Sequence, residues 1–226
     1  MENLPLYIGF AFGATTLLAI YFFFRSSRYS GITLLVLLAW LALQACLGLA
    51  GFYQITNTLP PRFMVLLFTP LVLIMLLFIR PAGRKYIDLL DPKSLVLLHI
   101  VRVPVELVLY ALSLHHYVPG LITFEGQNFD ILSGLTAPVI YYFCYVKKVK
   151  SSRIISLCWN FLCLGLLANV VIRAVLSIPS PVQQMAFDQP NQAVLYFPFV
   201  WLPACVVPLV LLSHLVLIRR EILARK

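Results

Sequence analysis

The residues with the chemistry to do something here lie on one hydrophobic stretch. Between Ser94 and Val118 the chain carries His99, Arg102, Glu106, Tyr110, Ser113 and Tyr117 among leucines and valines. At about 100° per residue these six fall within an arc of about 80°, so a helix here is polar along one face. Arg102 and Glu106 stand four apart, a spacing at which side chains on one helix can meet. Charges near a bilayer centre cost on the order of 2.5–3.5 kcal/mol each on insertion scales, so they face a bundle interior and mark pathways or paired sites. Arg102 would hold an anionic group or pair with Glu106. Glu106 would be a proton or cation site, and His99 a relay. Pro104 lies between the two charges. It withholds a helical donor from the carbonyl of Ile100, which Arg102 is placed to take. A purely structural ion pair accounts for the same residues.

The elements that must position this stripe are hydrophobic helices. Of the 226 residues 62% are hydrophobic and 11% charged, against about 45–50% and about 25% in soluble domains. That composition excludes a soluble enzyme, a disordered chain and a disulfide scaffold. A spanning helix takes about 20 apolar residues. Seven stretches qualify, near 5–24, 31–53, 63–79, 94–118, 129–146, 154–177 and 193–218. Ten-residue alternation, the barrel signature, is absent. The expected fold is an all-α integral membrane protein, a seven-transmembrane-helix bundle forming one domain over 1–226.

Basic residues orient that bundle. Fourteen of the seventeen Lys and Arg, from Arg25 and Arg28 to Arg219, Arg220, Arg225 and Lys226, fall on one side of a seven-span arrangement. Arg62 alone falls on the other. The positive-inside rule then places the N-terminus outside and the C-terminus in the cytoplasm, in a membrane read as the bacterial cytoplasmic (inner) membrane. The net charge of +9 is thereby a topology signal, and no clustered basic face on a soluble module invites nucleic acid. The start Met1-Glu2-Asn3 lacks a positive n-region, so the first span is expected to be retained.

Further polar groups can complete an interior site. Gln44, Asn160 and the pair Asn169 and Arg173, again four apart, sit in spans two and six. Tyr141, Tyr142 and Tyr145 crowd span five, and Trp201, Pro203 and Pro208 interrupt span seven. His99 and His214 have matching depths on spans four and seven, and two facing imidazoles can ligate haem iron or another metal. No HxxxH, HExxH or CxxC spacing accompanies them, so they are weak metal candidates and no cofactor is expected. The five cysteines all lie in spans and read as apolar filler. The segment Thr123–Asp130 is dense in polar and aromatic residues for a short loop.

Spans one to three and five to seven share direction and some sequence. Leu18–Phe23 is similar to Pro138–Phe143, and Pro70–Leu73 matches Pro208–Leu211. This allows a 3+1+3 pseudo-repeat, a layout that resembles the sugar- and vitamin-transporter folds built from triple-helix repeats. The proline–glutamine motif of that superfamily is absent. Microbial rhodopsins share the topology, but residues 193–218 contain no lysine for a retinal Schiff base. The expected function is a transporter or permease for a small molecule or ion. Its polar path would be lined by His99, Arg102, Glu106, Tyr110, Ser113, Asn169 and Arg173. The alternative is a non-transporting seven-helix protein: a ligand sensor, an assembly component, or a haem or metal redox protein. The lipid bilayer is the one partner the composition dictates; the oligomeric state is left open.

Overall fold

The computed structural model describes residues 4–223, so the Met1–Asn3 start and the basic pair Arg225 and Lys226 lie outside the described residues. Nine α-helices account for most of those residues. They are α1 (Leu6–Ser26), α2 (Gly31–Leu49), α3 (Met64–Ile79), α4 (Pro81–Leu89), α5 (Pro92–Leu98), α6 (Arg102–Leu114), α7 (Ile131–Tyr141), α8 (Ser152–Leu176) and α9 (Val207–Leu223). A 3-10 turn at His99–Val101 joins α5 to α6. π-helical turns at Tyr142–Val146 and Leu202–Val206 extend α7 and precede α9.

Among the described residues five helical stretches are long and apolar enough to cross a membrane: Leu6–Ser26, Gly31–Leu49, Pro92–Leu114, Ser152–Leu176 and Leu202–Leu223. The chain is thus an all-α, multi-span protein suited to an integral membrane location. Three expected spans differ in detail. α3 has 16 residues and breaks by 94° into α4; counted together they make a sixth crossing. At about 1.5 Å per residue α3 is about 24 Å long, short of a hydrocarbon core of about 30 Å. The helix over Ile131–Val146 is equally short. The last expected span, 193–218, begins as a helix only at Leu202. Pro198 disfavours helical geometry at Phe197, and the preceding residues form a 3-10 turn at Ala193–Leu195 instead.

Local sequence explains the breaks. α2 stops where Gly51 adopts a left-handed φ of 71° just past its end, the usual glycine stop. α5 starts on Asp91, whose carboxylate accepts from Ser94 N (3.0 Å) and Ser94 Oγ (2.7 Å), with Pro92 in the first turn. Asp at this position caps a free N–H of the helix start, and Pro in the first turn has no N–H to leave free. Pro208 offers no N–H to the carbonyl of Ala204 four residues back. Trp40 Nε1 donates to that carbonyl at 2.9 Å, pinning α2 to the π-helical turn. Trp201 Nε1 returns the contact to the Leu41 carbonyl at 3.0 Å.

The polar-striped span α5–α6 runs through the middle, flanked by α1, α7 and α9, while α2 stays peripheral. The basic ends converge: Arg219 pairs with Asp88 (3.1 Å), Arg220 donates to the Leu90 carbonyl (3.1 Å), and Arg25, Arg28 and Arg220 line one surface hollow. At the opposite end two loops close over the bundle. Gln189 Nε2 donates to the Ser113 and Val118 carbonyls, and Asn169 Nδ2 to the Gln127 carbonyl at 2.9 Å.

Candidate functional site

α7 lies directly on the 3-10 turn of the central span because Gly134 has no side chain. A Cβ there would stand 2.8 Å from Val103 Cγ2, 3.0 Å from Val103 N and 3.2 Å from the His99 carbonyl. That close approach brings Asp130, at the start of α7, onto Arg102.

Arg102 and Asp130 form a bidentate buried ion pair. Arg102 Nε donates to Asp130 Oδ2 at 2.6 Å, and Nη2 donates to Oδ1. Nη2 also donates to the Cys163 carbonyl (3.1 Å), and Nη1 to His214 Nε2 (3.0 Å). Because His214 Nε2 accepts, its proton sits on Nδ1, which donates to Asn160 Oδ1 at 2.8 Å. Those roles are those of a neutral imidazole. Asn160 Nδ2 in turn donates to the Ser156 carbonyl at 2.8 Å. Four helices, α6, α7, α8 and α9, are tied through this one guanidinium.

The expected Arg102–Glu106 pair is corrected by this arrangement. Arg102 takes its carboxylate from another helix, and it bonds the Cys163 carbonyl instead of Ile100. Planar bidentate geometry favours a carboxylate met end-on, which Asp130 offers from α7. Glu106 Oε1 instead accepts from Asn128 Nδ2 at 2.6 Å. Asn128 is clamped by its second N–H to the Ile122 carbonyl (2.9 Å) and by its oxygen to Asp130 N (2.9 Å). Glu106 Oε2 is buried without a partner.

His99 and His214 do face one another. Their rings stack with centroids 4.0 Å apart, and the Trp159 ring meets His99 edge-on at 5.2 Å. Stacked faces do not converge lone pairs on one point, and both His214 nitrogens are engaged. Among the described residues no three His, Cys, Asp or Glu side chains group to hold a metal ion. Both His99 nitrogens lack a hydrogen-bond partner.

The remaining expected residues sit apart from this cluster. Tyr110 is half-buried against Phe124, with centroids 4.9 Å apart, and Ser113 is half-buried beneath the outer loops. Arg173 Nε donates to Asn169 Oδ1 at 2.9 Å, and together they hold the 120–128 loop. Gln44 is spent on Tyr53, whose hydroxyl donates to it at 2.5 Å. The structure therefore assembles His99, Arg102 and Glu106 with Asn128, Asp130, Asn160 and His214. Asp130 and Asn128 were legible only as loop polarity; a carboxylate on the threshold of an apolar helix was the available signal.

Residues 60–221 match the model of the family described as "Domain of unknown function (DUF8737)". The chain belongs to that family. The matched region holds every residue of the buried cluster, while α1 and α2 precede it. No curated protein and no solved structure matches the chain.

Proposed function

We propose that this DUF8737 protein is a transporter or permease for a small molecule or ion, working from the buried cluster on the central span. In this reading it is a seven-span bundle, N-terminus outside and C-terminus cytoplasmic, in a bacterial inner membrane. One observation carries it: the buried carboxylate of Glu106 keeps an unpartnered oxygen on the wall of an apolar cavity. A bundle that needed only packing would fill such a position with leucine, since each charge at this depth costs several kcal/mol. Arg102 is held by Asp130 and organises the site, so Glu106 is the group free to take and release a proton or cation. His99, stacked on His214 toward the basic end, is the relay.

The test is flux. Purified protein in vesicles loaded with a pH-sensitive dye should collapse an imposed pH gradient at least about 10-fold faster than Glu106→Gln or empty vesicles. A tenfold rate corresponds to about 1.4 kcal/mol of barrier. Equal rates would leave the second reading, a non-transporting sensor, which the closed outer loops favour.

The polar face has its own check. On a background with the five native cysteines replaced, Tyr110→Cys and Ser113→Cys should react with a water-soluble thiol reagent in intact membranes. Leu107→Cys, on the exposed apolar side, and Leu112→Cys, in the core, should not. Protection of all four positions would remove the wet path.

A further inference from the structure

The cavity beside Glu106 has a one-sided chemistry. It encloses about 80 Å³ between α3, α6 and α8, walled by residues such as Phe63, Leu66, Val105 and Leu167. Its polar wall groups are Glu106, Asp130 and Asn191. Both carboxylate oxygens of Asp130 are taken by Arg102. Glu106 Oε2 and Asn191 Oδ1 are buried and have no partner. The Asn191 amide is oriented by its own bond, since Nδ2 donates to the Ala174 carbonyl at 3.1 Å. The wall thus presents two unpartnered acceptors to a ligand. A buried acceptor left without a partner is costly, so two beside one cavity call for a molecule that donates.

Charge narrows the choice further. Arg102 and Asp130 cancel, and His214 has the bonding of a neutral ring. Glu106 is the carboxylate of the cluster that is in no ion pair. The cavity also continues sideways. Leu67, Leu167, Val171, Pro203 and Val207 line both it and a second apolar crevice of about 240 Å³. That crevice runs between α3 and α8, which barely touch, and ends at Leu71 and Ile172, which are 42% and 57% exposed on the apolar surface. A ligand can therefore reach Glu106 from the lipid while its tail stays in hydrocarbon.

We infer that the cavity and crevice bind a lipophilic amine, its ammonium on Glu106 and Asn191 and its alkyl chain between α3 and α8. An ammonium supplies three donors and no acceptor, the complement of this wall. This rests on reading Glu106 as the cation site and names the substrate class for it.

Labelled octylamine and protein in lipid nanodiscs test the assignment. Binding should saturate near one molecule per chain. Unlabelled octylamine should displace it at least about 10-fold better than 1-octanol, and octanoate should not compete. Charge-assisted bonds are roughly twice as strong as neutral ones, which is the basis for the amine–alcohol gap. Glu106→Gln should weaken binding at least about 10-fold, and Val171→Trp, which plugs the junction of cavity and crevice, should abolish it. The amine–alcohol comparison uses the unaltered protein, so it stands even where a variant fails to fold. Non-saturable uptake, equal competition by octanol, or unchanged binding to Val171→Trp would overturn the inference. Saturable amine binding without flux would sink transport and leave the amine site standing; proton flux without amine binding would do the reverse.

Discussion

Arg102→Met is expected to destabilise the protein by about 3–5 kcal/mol, the usual cost of removing one partner from a buried ion pair. The substitution leaves Asp130 charged and buried and also takes a donor from His214 Nε2 and the Cys163 carbonyl. Asp130→Asn should cost a similar amount, because the guanidinium then has no carboxylate. The double variant Arg102→Met/Asp130→Asn should cost less than the sum by at least about 2 kcal/mol, since neither charge is left alone. Reversible unfolding in mixed micelles measures all three. The discriminating control is Arg102→Met/Glu106→Gln. These two side chains share no hydrogen bond and meet only through Asp130 and Asn128, so their coupling should be clearly smaller than that of Arg102 and Asp130, which touch directly. Additivity at Arg102 and Asp130, with strong coupling at Arg102 and Glu106, would mean the charges pair along one helix after all.

That contrast marks what the sequence can and cannot specify. The existence of the spans follows from apolar length alone, and the central span's polar face follows from helical spacing. His99, Arg102 and Glu106 were therefore legible as one buried set. His214 was legible from its depth as the partner of His99, but the partners of Arg102 and Glu106 were not, because they come from α7, α8, α9 and the 120–128 loop. Leucine-rich helices carry little periodic signal to fix their rotation, so nothing in the pattern aims Asp130, Asn160 or His214 at Arg102. The uniform helical wheel also fails at His99–Val101, where a 3-10 turn replaces the α-helix. α4 carries no span signal because its nine residues are too few to cross. With Arg84 and Lys85 on it, it reads as a basic surface helix turning away from α3. Gly83 permits that turn: a Cβ there would stand 2.5 Å from the Leu77 carbonyl oxygen.

Glycine at position 134 sets the second large effect. Gly134→Ala puts a methyl against Val103 N and the His99 carbonyl, backbone atoms of the central span that cannot rotate aside. Overpacking of this kind costs typically about 1–3 kcal/mol, more than the roughly 1 kcal/mol that alanine returns as a better helix former than glycine. Gly134→Val, larger and branched, should fall at the upper end or beyond. The sign is the informative part. Gly165, in α8, would meet nothing within 4 Å if given a Cβ, so Gly165→Ala keeps the propensity gain and should be neutral or stabilising. The damage at 134 should also reach the ion pair, because lifting α7 off the 3-10 turn carries Asp130 away from Arg102. Gly134→Val should therefore cost less in an Arg102→Met/Asp130→Asn background than in the native one. If Gly134→Ala stabilises as Gly165→Ala does, the close crossing of α7 and the central span is not what seats Asp130.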